Sequence, residues 1–277
     1  MDFPSSPDIS PEADLSPYCR WQDIFRSWFW RYYDNLFKFV LLNFSWFLVC
    51  FGVSWLSGRV GLLTLPAPWY WFGVFVVYLL ESAITFVWAL PVFMILVARS
   101  FSWIEYRIQL SRFFLKGLLV SALAGVFLGT GLLNLRFYSS FQGSAPIWVL
   151  VLMGFVITLL LYALMMTFYL WPILFFQDPS VGKLIYRAFI ITLGSGPASL
   201  LILFISLVWA LLFALAPFLW FTMGFVFLFS LYCTALEKHL LRYRITFEDR
   251  TLDDVLQEIA AERKRNWRDI LKPWETR

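Results

Sequence analysis

The chain has 277 residues, of which 61% are hydrophobic and only 14% are charged, and its mean hydropathy is +0.73. An ordinary soluble domain is nearer half apolar, so this composition excludes a typical water-soluble protein. The net charge of +4 accompanies long apolar runs, which favours a membrane-topology signal over a surface that binds nucleic acid.

The positive charges are distributed unevenly between the connecting stretches. Six apolar runs divide the chain into seven such stretches, and twenty of the 22 Lys and Arg residues lie in alternate stretches that include both termini. The other two are Arg59 and Arg136. Because cytoplasmic loops of membrane proteins collect Lys and Arg, the pattern predicts six spans with the N- and C-termini in the cytoplasm.

The chain begins with an acidic, Pro/Ser-rich stretch, residues 1–18, which is predicted to be a disordered cytoplasmic tail. Trp21, Phe25 and Trp28 then recur at helical spacing, which predicts an amphipathic helix on the cytoplasmic interface of the membrane. The membrane domain is predicted to cover residues 19–236. Its spans are about residues 36–55, 69–97, 113–135, 147–176, 198–216 and 217–236.

Two cytoplasmic connectors also have helical character. Residues 99–112 carry apolar side chains at helical spacing, and a second connector begins with the helix-start signal Asp178-Pro179-Ser180 and ends at Gly194. Residues 237–277 are predicted to be a cytoplasmic helical tail, too short to form an independent core. The predicted fold class is all-α: a polytopic membrane bundle of six transmembrane helices with cytoplasmic interfacial helices.

Glu81 is the only acidic residue inside an apolar run, where a charged carboxylate costs about 3 kcal/mol. Tyr78, Ser82 and Thr85 lie near the same helical face and can donate hydrogen bonds, so these four residues form a candidate intramembrane polar site. Two interpretations stay open. Glu81 is either a proton or cation site, or a neutral carboxyl group with a structural hydrogen bond.

Small residues recur at every fourth position of the third predicted span, at Gly117, Ser121, Gly125 and Gly129. This spacing lets a second helix approach closely. The second helix can belong to the same chain or to another copy, and a six-span protein favours internal packing. Asn43, in the first span, is predicted to form a hydrogen bond across helices.

The sequence contains no phosphate-binding loop, dinucleotide fingerprint, zinc-protease motif or serine-hydrolase motif. Its three cysteines, Cys19, Cys50 and Cys233, have no paired spacing, and one histidine is too few for common zinc sites. We therefore predict a protein that is not an enzyme and has no catalytic residue, cofactor or metal. The histidine, His239, is expected to be solvated beyond the last span.

Residues 35–46, NLFKFVLLNFSW, resemble the opening of the YesL-like bacterial membrane proteins, a family of unknown function. Residues 89–117 and 169–194 are similar to its inner connectors, and residues 266–275 are similar to the ending of some members. The resemblance implies a six-span protein of the bacterial cytoplasmic (inner) membrane, with an accessory role beside carbohydrate uptake systems. Residues 53–87 are longer and more aromatic than the family pattern, and no site residue is carried over.

The leading hypothesis is a non-enzymatic accessory protein whose partners are the lipid bilayer and a membrane transport complex. It predicts a tightly packed bundle without a polar cavity. The alternative is a small secondary transporter or channel in which Glu81 is an intramembrane proton or cation site, and it predicts a cavity that reaches Glu81. A membrane enzyme would need a cytoplasmic cavity lined by Asp178, Arg187 and Arg112. No nucleic-acid partner is expected, and the sequence does not indicate an oligomeric state.

Overall fold

The computed structural model describes residues 21–59, 69–98, 101–140, 146–216, 219, 224–241, 257, 261 and 262. Every regular element within these ranges is a helix, which confirms the all-α class. The predicted N-terminal tail and most of the predicted C-terminal tail lie outside the described residues. The helices are α1 (Trp21–Asp34), α2 (Leu36–Arg59), α3 (Trp69–Phe93, continued by a π-helical turn, Met94–Ala98), α4 (Trp103–Ser139), α5 (Ile147–Gln177), α6 (Val181–Gly194), α7 (Gly196–Leu215) and α8 (Phe225–Leu241).

Five described helices are long and apolar enough to cross a membrane: α2, α3 with its π-helical turn, α4, α5 and α7. Each corresponds to a predicted span, because an uninterrupted apolar run of about 20 residues is a strong signal. The boundaries differ most at α4. This helix has 37 residues and begins at Trp103, so most of the predicted interfacial connector, residues 99–112, is continuous with the span that follows it.

The sixth predicted span, residues 217–236, differs from the helix that the structure contains. The helix α8 begins at Phe225 and ends at Leu241, five residues beyond the predicted end of the span at 236. Its 17 residues extend about 26 Å at 1.5 Å per residue, somewhat less than the ~30 Å hydrocarbon layer. The start of the predicted tail is therefore part of a buried helix.

The core of the molecule forms around α8. This helix contacts α1, α3 and α5, and nearly all its side chains beyond Phe229 are buried. The facing ends of α3 and α5 are also buried, from Ala89 to Phe93 and, apart from the partly buried Trp171, from Phe168 to Phe176. Pro91 and Pro172 lie within these two buried ends, and the π-helical turn that ends α3 begins three residues after Pro91. We call this packed half of the bundle the inner half.

The other half of the bundle exposes most of its side chains. Apolar residues such as Leu132, Val151 and Leu211, on α4, α5 and α7, are more than half exposed. Apolar helical surfaces of this extent are consistent with contact with a lipid bilayer.

The start of α8 lies deep inside the bundle. The backbone N–H of Val226 donates to Asn43 Oδ1 at 3.2 Å, and the ring of Phe225 lies 5.4 Å from that of Trp46. The predicted cross-helix bond of Asn43 is thus confirmed. Trp46 is ten residues, about 15 Å, from the first residue of α2.

Candidate functional site

A cavity of about 440 Å³ lies at the level where α8 begins, between α3, α4, α5 and α8. All four residues of the predicted polar site line it: Tyr78, Glu81, Ser82 and Thr85. Further polar groups come from other helices, at Ser121, Thr167 and Tyr232. Among the described residues that line the cavity, Glu81 is the only one that is charged. We call this space the Glu81 cavity.

The carboxyl group of Glu81 also reaches α2. Its Oε1 accepts a hydrogen bond of 2.6 Å from Ser54 Oγ. One turn further along α3, Thr85 Oγ1 donates to the backbone oxygen of Glu81 at 2.7 Å and accepts from Trp46 Nε1 at 3.1 Å. The carboxyl group is therefore held between α2 and the cavity. Sequence reasoning missed Ser54, which has the ordinary appearance of a polar residue near the end of a span.

Most hydroxyl groups of the Glu81 cavity are engaged with protein atoms. Tyr78 OH donates to the backbone oxygen of Ser121 at 2.9 Å, and Tyr232 OH lies 2.8 Å from Ser206 Oγ. Thr167 Oγ1 donates to a backbone oxygen of its own helix. Since these groups are satisfied, the Glu81 carboxyl group is the main polar feature that a small ligand would meet.

Aromatic rings close the Glu81 cavity toward the inner half. Trp171 and Phe229 both line it, with ring centroids 6.4 Å apart, and Phe229 lies 5.3 Å from Phe225. Phe86 packs on the other side of Trp171, at 5.6 Å. The cavity thus combines one carboxyl group with several aromatic faces, and such faces attract cations through their quadrupole.

The small residues of α4 pack against α3 at two positions. A side chain at Gly117 would overlap the ring of Phe86, and one at Gly125 would overlap the ring of Tyr78. The backbone oxygen of Ser121, between them, accepts the bond from Tyr78 described above. The space beside Gly129 is open, with no neighbouring atom within 4 Å of the position that a Cβ would take. Gly131, which the four-residue spacing does not include, lies against Leu160 of α5.

A second polar site lies at the inner end of the bundle, where α1, α8 and Glu262 meet. Arg31, which is 2% exposed, forms ion pairs with Glu237 and, through Nε at 3.1 Å, with Glu262. Lys238 is fully buried, with Nζ 4.0 Å from Glu262 Oε2. Ser27 Oγ also donates to the Glu262 carboxylate. We call Arg31, Glu237, Lys238 and Glu262 the charge cluster.

The surroundings of the two cations of the charge cluster shift their pKa values in opposite directions. Desolvation lowers the pKa of Lys238 to about 8, and repulsion from Arg31 adds to this effect. Desolvation also acts to lower the pKa of Arg31, but the charges and hydrogen bonds of Glu237 and Glu262 outweigh it and raise that pKa. Arg31 is therefore the fixed positive centre of the charge cluster, whereas the charge of Lys238 is poorly stabilised.

Asp178 is paired with two cations of α4. It ends α5 in a left-handed conformation (φ 42°), and its carboxylate lies 2.7 Å from Arg112 Nε and 2.5 Å from Lys116 Nζ. Desolvation raises its pKa, but the hydrogen bonds from Lys116 and Arg112 outweigh this and leave the pKa below the usual value. Lys116 is thus a partner of Asp178 and not of Glu81.

The other residues that the sequence suggested for chemistry do not form a common site in the described part of the chain. Arg187 donates to Gln177 Oε1 at 2.5 Å. His239, expected to be solvated, is half-buried with its ring 6.2 Å from that of Tyr169, because α8 continues past the predicted end of the span. Among the described residues, no group of three or more His, Cys, Asp or Glu side chains is arranged to hold a metal ion.

Comparison with known proteins identified no relative of this chain. No protein-family model, curated protein or solved structure matches the chain.

Proposed function

We propose that this chain is a small secondary transporter or channel in which Glu81 is an intramembrane proton or cation site. The observation that carries the proposal is the Glu81 cavity, in which Glu81 provides the one charged side chain among the described lining residues. An ionisable residue at membrane depth is costly and is retained where it serves a pathway or a site. A carboxyl group among aromatic faces is suited to a proton or to a monovalent cation.

The proposed topology is six spans, in the cytoplasmic membrane of a bacterium, with both termini in the cytoplasm. The charge cluster supports an even number of crossings, because it joins Arg31, before the first span, to Glu237, after the fifth. Five crossings alone would leave these residues on opposite sides of the membrane. In this topology the chain crosses the membrane a sixth time between Leu215 and Glu237.

The packed inner half separates the Glu81 cavity from the charge cluster. Residues of α3, α5 and α8 fill this region with buried side chains, among them Leu90, Ile173 and Leu236. Transport through the Glu81 cavity then requires a second conformation in which this packing opens. The proposed function needs no covalent step, so the protein is proposed to act without being an enzyme.

Proton flux in reconstituted vesicles tests the proposal. A membrane potential set by K⁺ and valinomycin should drive proton entry into vesicles that contain the wild-type protein, reported by an internal pH dye. Glu81→Gln should reduce this flux to the level of protein-free vesicles, because the amide cannot exchange a proton. The matched control is Glu105→Gln, an exposed glutamate of α4, which should keep wild-type flux. Equal flux in wild type and Glu81→Gln would refute the role of Glu81.

A second candidate is the accessory role beside a carbohydrate uptake system. It is favoured by the tight packing of the inner half, where the charge cluster fixes α1 against α8. The two candidates differ in their dependence on Glu81. If Glu81→Gln restores growth on a sugar to a deletion strain as well as the wild-type gene does, the accessory role stands and the transport role falls.

A further inference from the structure

A large groove runs along the side of the inner half, between α2, α3 and the first turn of α4. Its volume is about 800 Å³, within the range of roughly 300–1,000 Å³ typical of ligand sites. The walls are almost entirely apolar or aromatic, with Leu41, Trp88, Ile95 and Trp103 among them. The groove lies outside the Glu81 cavity and shares no lining residue with it.

The polar atoms inside the groove are already satisfied by protein partners. Trp88 Nε1 donates to Ser45 Oγ at 2.8 Å, and Ser45 Oγ in turn donates to the backbone oxygen of Leu42 at 2.9 Å. Tyr106 OH donates to the backbone oxygen of Val87 at 3.3 Å. The interior therefore offers apolar surface only, as an acyl chain requires.

Among the described residues that line the groove, Lys38 is the one that is charged, and it lies near the first residue of α2. Its ammonium has a weak bond to Asn35 Oδ1, at 3.4 Å, and no carboxylate of the described residues lies within 4 Å of it. Trp103 lies at the other side of the groove, 70% exposed, and its indole N–H has no hydrogen-bond partner among the described residues. Two donors thus flank an apolar groove.

We propose that this groove binds an anionic phospholipid, with its phosphate on Lys38 and an acyl chain along the apolar walls. The charge of the rim selects an anionic headgroup, and the satisfied interior selects a hydrocarbon chain. Basic sites beside membrane spans bind anionic headgroups for the same reason. In this proposal Trp103 resembles the Trp residues found at membrane interfaces, and the polar edge of its ring faces the headgroup layer.

Native mass spectrometry of the full-length protein tests this proposal. The protein is released from vesicles of equal phosphatidylglycerol and phosphatidylcholine, and the lipids that remain bound are counted. Wild type should retain phosphatidylglycerol in preference to phosphatidylcholine. Lys38→Gln should reduce this preference about fivefold, the effect of one charge at a membrane surface. Lys183→Gln removes an exposed lysine of α6 and should leave the preference unchanged.

A second variant separates the groove from a general surface effect. Leu41→Trp places a larger side chain in the groove at a position that is 52% exposed, so folding should be preserved. It should reduce the retention of both lipids while Lys38 is intact. The proposal is overturned if Lys38→Gln keeps the wild-type preference, or if Leu41→Trp keeps the wild-type amount of bound lipid. Neither outcome depends on Glu81 or on proton flux.

Discussion

Lys238 is fully buried, yet its nearest carboxylate oxygen, Glu262 Oε2, is 4.0 Å away. An ammonium loses hydration on burial, and a distant ion pair returns only part of that free energy. Arg31 takes the shorter contacts to Glu237 and Glu262 and repels Lys238 as well. The charged form of Lys238 therefore lowers the stability of the folded protein.

This argument predicts a pH dependence. The pKa of Lys238 is about 8 in the folded protein against 10.5 for a free lysine, so the unfolded chain binds more protons between these values. The contribution of Lys238 to the free energy of unfolding should rise with pH from about 8 to 10.5, by on the order of 3 kcal/mol. Lys238→Met should be more stable than wild type at pH 7, and this advantage should vanish by pH 10.5.

Chemical denaturation in detergent measures the difference between the two proteins at each pH. The titration of tyrosines and cysteines contributes equally to the free energies of unfolding of the two proteins, so it cancels in their difference. Lys183→Met is the control on an exposed lysine and should show no such trend. A constant difference between Lys238→Met and wild type from pH 7 to 10.5 would disprove the account of Lys238.

Individual charges show where the sequence is informative and where it is not. Glu81 stands out in the sequence because a helix does not need an acidic residue within its apolar run in order to insert into a membrane. Arg31 and Lys238 do not stand out, since positive charge in the stretches predicted to be cytoplasmic is already explained by membrane topology. Arg31 and Glu237 are also 206 residues apart, so no local spacing indicates their contact.

At the scale of elements, close packing of α3 on α4 depends on glycines of α4. The rings of Phe86 and Tyr78 occupy the space that side chains at Gly117 and Gly125 would need. These two contacts lie one turn to either side of Ser121, whose backbone oxygen accepts the bond from Tyr78. The pairing of the two helices therefore also positions one wall of the Glu81 cavity.

Substitution of two glycines distinguishes this packing from a general effect of larger side chains. Gly125→Leu should lower the free energy of unfolding by about 1–3 kcal/mol, because the added side chain displaces Tyr78. Gly129→Leu should change it by less than about 0.5 kcal/mol, because the space beside Gly129 is open. Thermal unfolding of the monomer in detergent checks both. If Gly125→Leu abolishes only a dimer and leaves the stability of the monomer unchanged, the small residues of α4 serve self-association.

The elements differ in how far the sequence determines them. Five spans follow from apolar length alone, and the start of α5 at Ile147 is predicted to the residue. The continuity of the connector with the third predicted span, in one helix from Trp103, is not predictable in this way. An interfacial segment and a span have the same helical period, and the chain has no breaker between them. The start of α8 is set by tertiary contacts to Asn43 and Trp46, which a single apolar run does not reveal.

At the scale of the whole molecule, the number of crossings decides the sidedness of the two termini. The five long helices are an odd number, whereas the contact between Arg31 and Glu237 requires an even number between these residues. The two facts agree under the proposed six-span topology, which adds one crossing between Leu215 and Glu237. The charge distribution of the sequence leads independently to the same even number.

Cysteine labelling of intact bacterial cells checks this topology. Cys19, Cys50 and Cys233 are first replaced by Ala, and single cysteines are introduced by Gln22→Cys, Arg59→Cys and Gln257→Cys, all at exposed positions. A membrane-impermeant maleimide should label Arg59→Cys in intact cells, because the proposed topology places this residue on the outer side of the membrane. Gln22→Cys and Gln257→Cys should be labelled only after the cells are permeabilised. Labelling of Gln257→Cys together with Arg59→Cys in intact cells would mean an odd number of crossings. It would then be incompatible with an ion pair between Arg31 and Glu237, because the two residues would face opposite sides of the bilayer.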